Sequence, residues 1–361
     1  MSILIFVVVI VALIVVHEFG HFVAAKLSGM RVDEFGLGYP PRALLLGKYG
    51  ETEYTLNWIP FGGFVKIFGE DGGEGSRAFA TRPRILQAIV LIAGVAMNMV
   101  LAYTLITGAL VSGTPRGLSD AELSTARNVE LAVANVLPDS PAARSGILPG
   151  DSIISANDSV GEWRATDTKS FSEFVAASGG MEITLEVKHE GRLASLTATP
   201  AAGIVTYDPS RYALGVEVAT IGVVPLSLGA AIVEGATLTW DTTVLTAYGL
   251  GHFFYGVFTL SADMSQVSGP IGIAGAVGSA SAHGIGDLLS IVAVISINLA
   301  LINLIPVPAL DGGRLLFVLV ESVIRRPIKP SFAQAVNAIG FVGLILLMVV
   351  VTAHDIFKLV G

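Results

Sequence analysis

The run Ile3-Leu4-Ile5-Phe6-Val7-Val8-Val9-Ile10-Val11-Ala12-Leu13-Ile14-Val15-Val16-His17-Glu18-Phe19-Gly20-His21-Phe22-Val23-Ala24-Ala25 decides how the rest of the chain is read. It is apolar enough to enter a bilayer, yet it carries His17-Glu18-Phe19-Gly20-His21 in its second half. Two histidines four residues apart stand on one helical face, one turn above the other, so both imidazoles can share a zinc ion while Glu18 reaches a water activated by it. Charged residues inside membrane segments cost about 2.5–3.5 kcal/mol even on the lenient insertion scale and are kept for function. The placement points to a hydrolase working within lipid.

Composition supports the membrane reading. A mean hydropathy of +0.72 with 14% charged residues excludes an ordinary soluble domain. Uncharged stretches run from Met1 to Val16, from Ile85 to Pro115, from Leu288 to Leu310 and from Pro330 to His354. Each is long enough, or nearly so, to cross a hydrocarbon core of about 30 Å. The expected fold class is an α-helical membrane protein with four transmembrane helices, at 1–26, 84–113, 287–308 and 331–355. The chain has no cysteine, so any zinc must be held by histidine and carboxylate. A formal charge of −8 argues against nucleic acid as a partner.

No Lys or Arg precedes the first apolar run and it has no small-residue cleavage site, so it reads as a mature helix. Lys26, Arg31, Arg42, Lys48, Lys66, Arg77, Arg82 and Arg84 lie between the first two spans, and Arg314, Arg325, Arg326 and Lys329 between the last two. Positive-inside weighting places both loops in the cytoplasm, and the two termini and the long middle segment on the outer side.

In the region 27–83, Tyr54 to Ile59 alternates with a period near two, meets Pro60-Phe61-Gly62-Gly63, and resumes as Phe64-Val65-Lys66-Ile67. This is the pattern of a β-hairpin or looped sheet. It reads either as a small surface sheet or as an exposed edge that pairs with an unwound substrate. Gly69 to Gly75 reads as a flexible connection. Residues 127–201 read as a compact α+β domain, with strands at Val129–Leu137 and Asp151–Ala156, a serine-capped helix at Ser170–Ala177, and a strand pair over Met181–Thr199 turning at Glu190-Gly191. Leu137 to Asp151, with Pro138-Asp139-Ser140-Pro141 and Leu148-Pro149-Gly150-Asp151 at its ends, resembles the turn and strand entry of a PDZ domain. Such a domain binds peptide or acts as a steric gate. The apolar segment 221–262, interrupted by Glu234 and Asp241, reads as an amphipathic linker helix and not as a fifth span. A fifth span would put Asp311 and the histidine pair at opposite membrane faces.

Zinc needs a third protein ligand, and a carboxylate is the expected type here. Asp311 is the best candidate, in Asn303-Leu304-Ile305-Pro306-Val307-Pro308-Ala309-Leu310-Asp311-Gly312-Gly313. Two prolines break the end of the third span, and irregular backbone at membrane depth is tolerated only in protein or beside a polar cavity. Asp-Gly-Gly alone reads as a turn. Spans one and three run in the same direction in this topology, which brings both motifs to one side and favours the ligand reading.

Taken together, His17 to His21, Asn303 to Gly312, Pro60-Phe61-Gly62-Gly63-Phe64-Val65-Lys66 and a single PDZ-like domain between spans two and three resemble the bacterial site-2 intramembrane metalloproteases, similar to the regulator of sigma-E protease, in a single-PDZ form. The resemblance implies Zn2+ held by His17, His21 and Asp311, with Glu18 as catalytic acid and base. It implies Asn303 as a polar contact to the substrate backbone or developing oxyanion, and Gly62, Gly63, Phe64, Val65 and Lys66 as a substrate-aligning edge. Asn98, in Gly94-Val95-Ala96-Met97-Asn98, reads as active-site support or as a helix-packing residue, with Val95 where relatives often carry proline. The implied substrates are single-span membrane proteins already shortened on the outer side, such as anti-sigma factors or remnant signal peptides. The implied location is the bacterial inner membrane, with the zinc site near the cytoplasmic face and the PDZ domain, on the periplasmic side, taking a peptide or a pre-cleaved substrate end. His189, His252, His283 and His354 lack ligand spacing and read as surface or interface residues, and Trp163 and Trp240 as packing or interface anchors. Two rivals are an ion transporter using intramembrane His and Asp, and an inactive PDZ-bearing scaffold. The glutamate between the histidines argues against the first and the intact four-residue set against the second.

Overall fold

Residues 2–360 are described by the computed structural model, apart from 71–74, 120, 160, 165, 190, 191, 206, 207, 260 and 262–267. Most of the Gly69–Gly75 connection and the Glu190-Gly191 turn fall outside the described residues. The chain divides into two compact units, one formed by Met1–Ser112 and Ser227–Gly361, the other by Gly113–Leu226.

The first unit contains helices α1 (Ser2–Leu27), α2 (Arg84–Ser112), α5 (Leu228–Thr259), α6 (Pro270–His283), α7 (Ile285–Leu304), α8 (Asp311–Ile324) and α9 (Pro330–Val360). Among the described residues, four helices are long and apolar enough to cross a membrane, at Ile3–Leu27, Arg84–Ser112, Ile285–Leu304 and Ser331–Phe357. The central one is α2. Its buried residues Val90, Gly94, Asn98, Ala102 and Ile106 recur at every fourth position, which makes a continuous packing stripe. Helices α1, α5, α7 and α8 all pack on α2. Small residues set the closeness of the first crossing: a Cβ added at Gly20 of α1 would overlap the Ala93 carbonyl and stand 3.0 Å from Gly94 Cα. At the end of α1 beyond His21, Ala24, Ala25, Met30, Val32, Ile67, Phe79, Val90, Leu91 and Val318 form a core that fixes the helix ends.

The third span stops at Leu304, short of the expected 308. Ile305 is already extended (φ −64°, ψ 137°), as the residue before a proline must be, and the chain then crosses Pro306 and Pro308 without helical hydrogen bonds. Asp311-Gly312-Gly313 is the first turn of α8 and not a free turn. Gly313 allows this, because a Cβ there would stand 3.0 Å from Pro308 Cα and overlap the Val307 carbonyl.

Strands β1 (Val32–Tyr49) and β2 (Thr52–Ile67) each pair twice. Leu44 to Tyr49 run against Thr52 to Leu56 across a tight turn; Glu34 to Leu37 lie along Glu53 to Leu56 with both numbers ascending; and Val32 to Leu37 run against Ile67 to Gly63. The sheet therefore has four rows in the order 44–49, 52–56, 32–37 and 63–67, which leaves Gly63–Ile67 as an outer edge. Strand β2 packs against α1.

The second unit is a sheet whose strands follow the order β3 (Pro115–Gly117), β9 (Val216–Val223), β4 (Arg127–Val136), β5 (Ser152–Asn157), β7 (Ile183–His189) and β8 (Arg192–Ala198), with β6 (Glu162–Trp163) beside β5. Two helices, α3 (Pro141–Ser145) and α4 (Thr168–Ala177), complete it. Its core is Leu131, Val133, Ile147, Ile153, Trp163, Phe171, Ile183, Leu185, Val187 and Leu214. Two features differ from expectation. Strand β9 lies outside the bounds 127–201 and overlaps the start of the expected linker segment, yet it pairs with β4 from Arg127↔Val223 to Val136↔Val216. The cap of α4 is Asp167, not a serine: its carboxylate accepts the Ser170 backbone N–H at 2.8 Å. His189 is paired with the buried Asp151, Nδ1 to Oδ1 at 2.5 Å.

Candidate metal centre

The helical spacing of four places His17 and His21 in α1 with ring centroids 4.7 Å apart and planes at 81°, both nearly inaccessible to solvent. Their Nε2 atoms are 3.1 Å apart. Asp311, at the first position of α8, brings Oδ2 to 2.8 Å from His17 Nε2 and 3.2 Å from His21 Nε2. Among the described residues this trio is the cluster able to offer a metal three ligand atoms within 4.8 Å of one another.

The donor set suits zinc. Ligand atoms at the usual 2.0–2.1 Å around a tetrahedral ion lie about 3.3 Å from each other, and three near-equal separations of this size are what the side chains present. Burial pushes the Asp311 carboxyl up, but hydrogen bonds and charge from His17 and His21 outweigh it and hold the carboxyl well below the usual carboxylate range. The carboxyl is therefore an anion at neutral pH.

The outer nitrogens of the imidazoles are also engaged. His21 Nδ1 lies 2.7 Å from the Val90 carbonyl, which can only accept, so Nδ1 carries a proton and Nε2 is the nitrogen left to face a metal. His17 Nδ1 lies 3.2 Å from the amide of Asn98, a residue with no exposure to solvent. Asn98 Oδ1 is buried without a partner in the assigned amide orientation. The reverse orientation gives it the His17 Nδ1–H and leaves His17 Nε2 free to bind metal. Gly94 completes the cradle: a Cβ there would stand 2.5 Å from His21 Nε2 and 2.7 Å from His17 Nε2 and Cε1. Of these supports, sequence reasoning named Asn98 alone. Gly94 stood in the same five-residue element, and its spacing of four from Asn98 was the available signal.

Glu18 points to the sheet. Its Oε2 accepts a hydrogen bond from Val65 N at 3.1 Å, and Gly63 is close enough that its Cβ would stand 3.7 Å from Glu18 Cγ. Gly62 has φ +91° and, like Gly63, is buried; Phe64 and Val65 are half-buried and Lys66 is exposed. The edge row thus borders the glutamate directly. Asn303 lies in the last turn of α7, half-buried, and makes no hydrogen bond to His17, Glu18, His21 or Asp311 among the described residues. His252 lies on α5, His283 bonds the Ser279 carbonyl, and His354 lies on α9, all outside the metal cluster.

The model of peptidase family M50 matches residues 5–348. A Clostridium perfringens protein named "Putative zinc metalloprotease CPE1693" is 35% identical over 347 residues, covering 96% of this chain and 95% of that protein. The zinc metalloprotease RasP of Oceanobacillus iheyensis is 28% identical, covering 96% of each chain. Among solved structures, the PDZ domain of the SdrC-like protein Lmo2051 from Listeria monocytogenes is similar at 19% identity and a TM-score of 0.21, covering 25% of this chain and 86% of that one.

Proposed function

The chain belongs to peptidase family M50, and from that premise we propose that His17, His21 and Asp311 hold the zinc ion, that Glu18 is the catalytic base and acid, and that Gly62 to Lys66 align an unwound substrate. The protein is a site-2-type zinc metalloprotease of the membrane. The observation that carries the residue assignment is the convergence of three ligand atoms from two distant helices within 4.8 Å, beside a glutamate on the same helix as two of them.

Zinc, when bound, supplies a Lewis acid that lowers the pKa of water toward about 7 and polarises a carbonyl oxygen. Glu18 takes a proton from the attacking water as the new C–O bond forms. It returns that proton to the amide nitrogen as the C–N bond breaks, so one water is consumed and a carboxyl and an amino end are released. Asn98 and the Val90 carbonyl keep the two imidazoles in the tautomer this requires. Asn303 is assigned to the substrate backbone near the reacting carbonyl on the strength of the family motif.

The substrates are single-span membrane proteins cut within or near the span, in regulated intramembrane proteolysis, with anti-sigma factors and remnant signal peptides as the candidate classes. A helical span hides its peptide bonds in its own hydrogen-bond ladder and must unwind before attack; pairing to the row 63–67 would replace the lost bonds. Exposed Leu44, Leu45, Leu46 and Tyr49 on the row 44–49, with exposed Trp58 of β2, support a membrane-associated sheet. The charge pattern supports an inner-membrane protein with both termini and the PDZ-like unit periplasmic, the zinc site near the cytoplasmic face, and a peptide or pre-cleaved substrate end bound by that unit.

The test is reconstitution with a single-span substrate, comparing wild type with Glu18→Gln for cleavage and zinc content. Zinc retained with cleavage abolished is the expected result. Cleavage by the variant would overturn the role given to Glu18, and metal flux without proteolysis would replace the protease by a transporter.

A further inference from the structure

The Val65 amide has two claims on it. In the row Gly63–Ile67, Val65 is the register partner of Phe35, and its N–H points away from that partner to Glu18 Oε2 at 3.1 Å. Outward N–H groups are what an edge strand offers to an added strand. An N–H makes one strong hydrogen bond, so the group that would fix a substrate strand opposite Val65 is the one now held by the catalytic glutamate.

We propose that Glu18 is parked on the Val65 amide and that an incoming substrate strand releases it by taking over that hydrogen bond. This rests on the reading of Gly62 to Lys66 as the substrate edge. Arrival of an extended peptide and release of the base then become one event: before it, the carboxylate is held against the strand, and after it, the carboxylate turns to the water and the peptide bond. The parking geometry depends on Gly63, since a Cβ there would stand 3.0 Å from the Gly36 carbonyl while approaching Glu18 Cγ at 3.7 Å. It depends also on the firm seat of α1 against β2. A helical substrate span has no free backbone acceptor to offer Val65, so an unwound segment is the form that exchanges with Glu18. The device therefore selects for unwinding and not only for side chains.

The exchange is read as a competition. Full-length protein in detergent, with zinc, is prepared as the hydrolysis-blocked variants Glu18→Gln, which keeps an acceptor, and Glu18→Ala, which removes it. Each is titrated with a fluorophore-labelled peptide of alternating alanine and valine. Removing the competing acceptor is expected to tighten binding about threefold to tenfold, the range of a neutral hydrogen bond. Adding Val65→Pro, which deletes the amide hydrogen, is expected to weaken binding and abolish the difference between the two Glu18 variants. Equal binding by the two variants, with Val65→Pro weakening both, would overturn the parking and leave the edge reading standing. No effect of Val65→Pro on either would overturn the edge reading and the parking with it. If Val65→Pro does not fold, the amide resonance of Val65 in selectively labelled protein decides: an upfield move in Glu18→Ala is expected, and an unmoved resonance overturns the proposal.

Discussion

At the scale of single residues, the metal centre is a problem of making space as much as of supplying ligands. Two imidazoles and a carboxylate converge at separations near 3 Å only because α2 presents bare backbone at Gly94. Gly94→Ala places a methyl 2.5 Å from His21 Nε2 and 2.7 Å from His17 Nε2, so either both rings or α2 must shift. The expected outcome is a loss of zinc affinity of at least about tenfold, the range seen when an outer support of a metal ligand is disturbed, with the helices intact. Competition against a chelator measures the affinity and circular dichroism the helices; unchanged zinc binding would mean that α2 yields. The three side chains proposed as ligands stood out in the sequence because each has a chemical signature tied to a spacing, four residues for the histidines and a proline-broken helix end for Asp311, and the structure brings them together. Gly94 was quoted in its motif but given no role, because a helical repeat says which face a residue is on and not what crosses that face. Val90 had no signal at all, since its contribution is a backbone carbonyl.

Among the elements, ends and edges carry the consequences. Helix α6 starts at Gly269 and Pro270 with no capping side chain of its own, and Asp355 of α9 supplies one, accepting Gly269 N–H at 3.1 Å and Gly272 N–H at 2.9 Å. A buried carboxylate within a span is expensive, so its retention is explained by the two backbone donors it satisfies. Asp355→Ala strands both donors and is expected to cost about 1–3 kcal/mol, with Asp355→Asn recovering part through its one remaining acceptor oxygen. Unfolding in mixed detergent micelles measures this, and an alanine variant as stable as wild type would show that lipid-facing packing alone seats α9, the least buried of the four spans. A second end effect is Asp167 at α4. Hydrogen bonds from the Ser170 hydroxyl and the Ser170 amide hold its carboxyl below the usual range, so the cap is fully present above the ordinary pKa of about 3.9 and is lost as pH falls below it toward the folded value. Asp167→Ala should destabilise by about 1 kcal/mol at neutral pH and by progressively less in acid; thermal unfolding at pH 7 and pH 3 checks both signs. The α4 helix was legible as a short capped segment at Ser170–Ala177. Its cap was misread because Ser170 is also a favoured capping type, and sequence alone does not say which of two neighbouring polar residues stays outside the first turn.

Across the whole molecule, the insertion of one unit into another explains both what was readable and what was not. Apolar runs announce spans one at a time, so four of them could be counted before any packing was known. Strand β9 has the alternating pattern Val216-Glu217-Val218-Ala219-Thr220-Ile221-Gly222-Val223, but it returns to pair with β4 and β3 from far along the chain, and no local pattern reports such a partner. That return has a mechanical result. Pro115 and Val223 are register partners, so the chain enters and leaves the second unit at adjacent points. The unit also closes its own core, from Leu131 to Leu214, while His17, His21, Asp311 and Glu18 all belong to the other unit. A fragment covering Gly113–Leu226 should therefore unfold in one cooperative thermal transition, and the remainder, with Ser112 and Ser227 joined by a short glycine-serine linker, should keep one zinc per chain. Calorimetry of the fragment and metal analysis of the remainder test the two halves separately. A fragment without a cooperative transition would show that its sheet needs the first unit to fold, and loss of zinc from the joined remainder would show that the metal centre depends on the inserted sheet despite drawing no ligand from it.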